Sequence, residues 1–261
     1  MDLKFVKYEK RNHIAYITFN RPERLNALHP PCHIEMDNVW DDFVADKAMW
    51  VAIVTGAGDK AFSAGNDLRW TAENREQVTE GLRGKGGFAG ITARYDIYKP
   101  IIAAVNGPCV AGGMEMLGGV DIRVASEHAT FGVLEPARGL FAGGGTTVRL
   151  PRQIPFAHAM EFLLCADVVD APRAMEMGLL NAVVSEDALL DTAFAYAARI
   201  TKNAPLAVQA TKRSVLEGLK VDMREAYRNE SQIAKEVFAT EDAKEGPRAF
   251  AEKRVPKWSG S

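Results

Sequence analysis

Two stretches of the chain are apolar almost throughout and too short to be core helices. Trp50 to Thr55 reads WVAIVT and stops at Gly56-Ala57-Gly58, while Ile101 to Val105 reads IIAAV and stops at Asn106-Gly107. A strand that alternates polar and apolar residues can leave one face in water, whereas a strand without polar residues has to be covered on both. Covered strands need helices between them. Met36, Val39, Trp40, Phe43 and Val44 follow the i, i+3, i+4, i+7, i+8 spacing of one buried helical face, and Leu189, Leu190, Ala193, Phe194 and Ala197 share another. Further helical patterns fall at 156–164 and 172–177. His13 to Phe19 alternates with period two before Asn20-Arg21-Pro22, as a half-buried strand does, and short strands are expected at 121–125, 130–133 and 182–185. The expected fold class is α/β.

Strand candidates end near residue 200. From Pro205 onward the pattern gives two or three amphipathic helices and the charged run Glu241 to Lys257, with Trp258 placed for the tail to dock. The expected organisation is a core over 1–200 and a helical appendage over 201–261. The segment 71–90, with Gly81, Gly84, Gly86 and Gly87, follows no clear period.

Composition narrows the function. With 261 residues, 47% hydrophobic and 25% charged, the chain can bury a sizeable core, and collagen-like, disordered and coiled-coil readings are excluded. The 32 basic and 34 acidic residues leave a net charge of −2, a poor field for nucleic acid. Cys32, Cys109 and Cys165 are odd in number, widely spaced and without CxxC, so a reducing, cytoplasmic compartment and no structural zinc are expected. The start carries Asp2 and no apolar signal region. Ile101 to Val124 is broken by Asn106, Pro108, Glu115, Asp121 and Arg123, so no membrane span is expected.

Three segments could carry chemistry. In Ala61-Phe-Ser-Ala-Gly-Asn-Asp-Leu68, Gly65 permits a sharp turn that frees the Asn66 amide, while Asp67 is placed to cap the next helix. In Asn106-Gly-Pro-Cys-Val-Ala-Gly-Gly-Met-Glu-Met-Leu117, glycines open a short helix whose first turn presents unpaired N–H groups. The Gly112 amide could hold an oxyanion there, and Glu115 is either a helix-terminus acid or a catalytic one. In the third segment Glu135 sits among Val133, Leu134 and Pro136, where a carboxylate is paired with Arg138, hydrogen-bonded, or tuned for proton transfer. Gly143-Gly-Gly145 lacks the following Lys-Ser/Thr of a P-loop and is expected to be a packing loop. The chain has no dinucleotide fingerprint, no Gly-x-Ser-x-Gly elbow and no His-Glu-x-x-His; its five histidines are expected in core or surface roles.

Taken together, these segments resemble the crotonase superfamily of enoyl-CoA hydratases and isomerases. The resemblance also covers Asn20-Arg-Pro-Glu-Arg-Leu-Asn-Ala-Leu28, Lys99 to Gly107, Glu135 through Leu150 and Glu241 to Arg254. It implies a crotonase-like spiral of ββα turns with C-terminal helices that build trimers or dimers of trimers. It implies an acyl-CoA thioester as substrate and no further cofactor. By position, the family's oxyanion donors fall on the amides of Asn66 and Gly112, each worth about 3–4 kcal/mol in comparable acyl-transfer sites. Its two hydratase acids fall on Glu115 and Glu135, whereas isomerases generally lack the first. Contacts to CoA are implied for Arg24, Ala64, Asp67, Leu68 and Arg69, with Phe250 and Lys253 reaching from a neighbouring subunit. Asn66 stands where a small residue is usual, Pro136 constrains the backbone after the second acid, and Ala142 stands where proline is common. The C-terminal run and Gly86 to Gly90 are also similar to carnitinyl-CoA dehydratases, which implies an unusual acyl chain. The expected reaction is hydration of a 2-enoyl-CoA or the reverse; a Δ3,Δ2-enoyl-CoA isomerase and a weakly active scaffold are the alternatives.

Overall fold

The computed structural model describes residues 1–74 and 84–261; Gly81 of the aperiodic segment lies outside them. Six strands, β1 (Val6–Arg11), β2 (Ile14–Phe19), β3 (Val51–Gly56), β4 (Ile101–Val105), β6 (Ile122–Ser126) and β9 (Ala182–Val184), form one sheet in the order β1-β2-β3-β4-β6-β9. Only β1 and β2 pair antiparallel.

The two apolar runs are central strands, and the reason is visible in their alternation. Ala52, Val54, Ile101, Ala103 and Val105 join the larger core, with Met36, Val39, Trp40 and Phe43 of α1 (Pro30–Ala45). Val51, Ile53, Ile102 and Ala104 pack on Leu189, Ala193 and Ala197 of α7 (Leu189–Thr201). Both faces are covered, so no position on β4 tolerates a polar side chain. By contrast β1, which the apolar pattern did not disclose, is an edge strand with four of its six residues, Lys7, Glu9, Lys10 and Arg11, exposed.

A second sheet runs beside the first: β5 (Cys109–Val110), β7 (Thr130–Gly132) and β8 (Val169–Asp170). Parallel bridges from Ser63 to Cys109 and from Leu28 to Asn66 extend it. Each turn of the chain thus lays one strand in the large sheet and a short segment in the small one. Most turns then enter a helix, as with α2 (Leu68–Glu73) after β3 and α3 (Gly112–Leu117) after β5. This is the expected ββα spiral, and it brings successive strand-to-helix loops together at one end. Beyond them lie α4 (Thr146–Gln153), α5 (Phe156–Cys165) and α6 (Ala171–Glu176).

The last strand is β9. The remaining helices are α8 (Pro205–Gly218), α9 (Met223–Phe238) and α10 (Glu241–Ala251). Lys212 on α8 reaches Asp121 and the Lys99 carbonyl, and Tyr98 donates to Glu217, so α8 docks on the core through polar contacts. The tail docks as Trp258 implied: its Nε1 donates to Lys202 O, and the Ser259 and Gly260 amides donate to Asp242. No helix among the described residues is long and apolar enough to cross a membrane.

Candidate active site

The loops after β3 and β5 meet through glycine. Gly65 has φ +84°, and a Cβ there would stand 2.7 Å from the Gly112 nitrogen, so only glycine permits this approach. The direction of the Asn66 amide follows from peptide planarity. Gly65 O accepts from Leu28 N at 2.8 Å, and in a trans peptide the N–H points opposite to the C=O. The Asn66 N–H therefore faces away from residue 28, and it has no acceptor among the described residues. The same reasoning applies at Gly112. Ala111 O accepts from Met114 N and Glu115 N inside α3, so the Gly112 N–H points out of the helix start, again without an acceptor among the described residues. Ala111 holds φ +50°, a conformation that costs a non-glycine residue of order 1–3 kcal/mol and sets this amide's direction. The Phe88 ring lies against Gly112.

Both glutamates are buried, Glu115 at 8% and Glu135 at 9% exposure. Glu115 is on α3, and its carboxylate accepts the Gly144 N–H at 2.6 Å. The Gly143-Gly-Gly145 loop therefore does more than pack: a Cβ at Gly144 would stand 2.3 Å from Glu115 Oε2. Glu135 ends the segment after β7 and precedes a short 3-10 turn, Pro136–Arg138, in which proline takes the first position. Of the three fates open to Glu135, Arg138 acts on it electrostatically without a close ion pair among the described residues, and Glu135 Oε2 has no hydrogen-bond partner among them. Burial pushes the Glu135 carboxyl above its usual range, and the charge of Glu115 adds in the same direction. The two acids are thus electrostatic neighbours. One is held by a backbone donor and the other has its carboxyl shifted upward. A cavity of about 390 Å³ opens beside the Glu135 loop, lined by Val133, Pro136, Leu140, Phe141, Phe156 and Met160 among others.

Five residues expected at the CoA mouth cluster on adjoining segments. Ala64 N donates to Leu25 O, Arg24 acts electrostatically on Asp67, and Leu68 and Arg69 open α2. Arg24, Leu68 and Arg69 are exposed, and Ala64 is half-buried. Asp67 differs. It is buried, paired with Arg21 at 2.8 Å, and its side chain caps α2 by accepting from Trp70 N. Its carboxylate is tied up in the scaffold, leaving no charge at the mouth. The Asn66 side chain turns to Thr71 Oγ1 on α2. Phe250 and Lys253 stand apart on α10 and just after it, with Phe250 87% exposed, and no hydrogen bond or ion pair among the described residues joins them to the 24–69 cluster. Among the described residues no cluster of His, Cys, Asp and Glu is disposed to hold a metal. Arg21 and Gly144, which touch the site, carried no separate signal in the sequence: one lay inside a motif without an assigned role and the other inside a glycine run.

Residues 9–261 match the family model described as enoyl-CoA hydratase/isomerase. The chain belongs to the enoyl-CoA hydratase/isomerase family. An enoyl-CoA hydratase of Mycobacterium tuberculosis is 42% identical over 96% of this chain and 94% of its own length. An (E)-benzylidenesuccinyl-CoA hydratase of Thauera aromatica is 38% identical over 98% of this chain and 99% of its own. A crystal structure of an enoyl-CoA hydratase from Mycobacterium tuberculosis superposes with a TM-score of 0.92 at 41% identity, covering 98% of this chain and 99% of that one. Membership of the enoyl-CoA hydratase/isomerase family accounts for the spiral described above, and carnitinyl-CoA dehydratases, 38% identical in Citrobacter koseri over 97% of both chains, belong to the same circle of relatives.

Proposed function

We infer that the chain adds water across the C2=C3 bond of a 2-enoyl-CoA thioester, or removes it from a 3-hydroxyacyl-CoA. The observation that carries this reading is the pair of buried carboxylates, Glu115 and Glu135, near enough that the charge of Glu115 raises the Glu135 carboxyl. The two adjacent amides of Asn66 and Gly112 hold the thioester oxygen as charge builds on it in the enolate. Glu115, steadied by Gly144 N–H, orients the attacking water and takes its proton. Glu135, whose pKa is raised, delivers a proton to C2. The steps need proton transfers and backbone donors alone, and acyl-CoA is the substrate.

CoA is held at the mouth by Arg24 and Arg69 with Ala64 and Leu68, and by Lys253 and Phe250 from a neighbouring copy. Asp67 contributes through its place in the loop. The chain assembles as a trimer or a dimer of trimers, supported by the exposed Leu219, Met223, Tyr227 and Phe238 on and between α8 and α9. Relatives named for benzylidenesuccinyl-CoA and carnitinyl-CoA support an unusual acyl chain.

Turnover of a panel of 2-enoyl-CoA thioesters, followed by loss of the conjugated thioester absorbance, tests the reading. Water-dependent product that disappears in both Glu115→Gln and Glu135→Gln supports hydration. Double-bond migration surviving in Glu115→Gln alone replaces it with isomerisation, and binding without turnover replaces it with a scaffold.

A further inference from the structure

The direction of the Asn66 N–H depends on one hydrogen bond, Leu28 N to Gly65 O, and the residues around that bond are tied to each other by a buried ion pair. Arg21 is buried at 9% exposure and its guanidinium forks: Nη1 donates to Ala27 O and Nη2 to Asp67 Oδ2. Asp67 in turn donates its N–H to Leu28 O and accepts Trp70 N on its other oxygen. One arginine therefore clamps residues 27–28 to residue 67, on either side of the peptide that presents Asn66 N–H. Three rings cover the pair. Phe5 and His29 meet edge-on with centroids 4.4 Å apart, His29 and Trp70 at 5.6 Å, and the guanidinium lies 5.7 Å from the Phe5 centroid. Burial beside Arg21 keeps His29 neutral, so it adds no charge to the pair.

We propose that Arg21 and Asp67 are positioning residues for the reaction: their ion pair sets the angle at which Asn66 N–H meets the thioester oxygen. The reason is geometric. A buried planar fork fixes direction as well as distance, which a lysine or a neutral amide in its place does not. Loosening the clamp lets the Gly65–Asn66 peptide tilt, and a donor displaced by about 1 Å at such a site loses rate on the order of 10²-fold. Ground-state binding of CoA depends on other groups and changes little. This inference rests on the reading of Asn66 as an oxyanion donor.

The experiment uses full-length Asp67→Asn, Arg21→Met and Arg21→Lys, with Glu115→Gln as comparator. Three quantities are read: kcat and KM for a 2-enoyl-CoA, and the red shift of the absorption band of a bound 3-aryl-2-enoyl-CoA, which reports polarisation of its carbonyl. The expected result is a kcat loss approaching 10²-fold in Asp67→Asn and Arg21→Met with KM altered less than about threefold, and a smaller red shift in both. Arg21→Lys restores the charge without the fork and falls between. Glu115→Gln loses turnover with the red shift intact. If the red shift of Asp67→Asn and Arg21→Lys equals that of the unaltered protein, the ion pair is scaffold alone and the proposal is overturned, whatever happens to stability. If Asp67→Asn does not fold, Arg21→Lys decides by the same red shift. If Glu115→Gln keeps full hydration, the functional reading fails separately, since the red shift reports the donor and not the acid.

Discussion

Residues 1–200 and the three helices after Pro205 bury their apolar side chains in opposite ways. In the first region Trp40, Phe19, Phe43, Phe62 and Phe131 are fully buried, and strands from Val51 and Ile101 are covered on both faces. In the second, α9 buries only Ile233, while Phe238 is 77% exposed and Met223 and Tyr227 stand open. Its contacts with the core are polar, as at Lys212–Asp121, and exposed or half-exposed pairs of this kind contribute little stability each. The spiral can therefore close its core alone, whereas the helices carry more apolar surface than one chain covers. On the proposed reading, chemistry belongs to the first region and assembly to the second.

That division predicts how substitutions separate. Glu115→Gln and Glu135→Gln should each lower kcat by at least about 10²-fold with acyl-CoA affinity nearly unchanged, and the double variant should lose little more, as for groups acting on one step. Steady-state kinetics with a direct binding titration checks this, and additive losses would break the shared-step picture. Next in size, Gly144→Ala should displace the Glu115 carboxylate and lower kcat roughly tenfold without altering the oligomer, because the new Cβ would stand where Oε2 now lies.

In the C-terminal region the expected signature is reversed. Phe238→Glu should reduce the assembled species seen by sedimentation, and Lys253→Glu should raise KM severalfold with a shallower salt dependence, each leaving the fold of the 1–200 region intact by circular dichroism. An unchanged KM in Lys253→Glu would return the CoA mouth wholly to the first region. The smallest effect concerns stability. Glu135 has a folded pKa raised above its unfolded value, so its favourable contribution is complete below the unfolded pKa and fades as pH rises through the folded one. Glu135→Gln should therefore raise Tm at pH 7 by a degree or more and leave it little changed near pH 4, the reverse of its effect on activity. His29 titrates in the other sense: its folded pKa is lowered to about 4, so stability should fall as pH drops from 6.5 toward 4 and less so in His29→Phe.

Much of the architecture was legible because its cause is local. Full apolarity marked β3 and β4, period two marked β2, and the 3.6-residue face marked α1 and α7. The strands missed were those without such a cause: β1 is an exposed edge, and β5 and β8 have two residues each, their pairing set by neighbours distant in sequence. The candidate acids were legible as polar residues in apolar company. The glycine loop that holds Glu115 was not, since a backbone donor leaves no mark on the side-chain pattern. Asp67 shows the limit most clearly. Its capping role followed from its place before a helix, but its pairing with Arg21 joins residues separated by 46 positions.

By itself the sequence determined the α/β alternation, the strands that must lie inside, the change of character after residue 200, and through its motifs the family. These follow from hydrophobic period and from glycine and proline at turns, which act over a few residues. Tertiary structure alone decided which amides stay unpaired among the described residues, that Glu115 rests on Gly144, that a Glu135 carboxyl oxygen has no partner among those residues, and that Arg21 clamps the loop beside Asn66. Hydrogen-bond direction, desolvation and charge proximity depend on three-dimensional neighbours, and in a spiral those neighbours come from successive turns tens of residues apart.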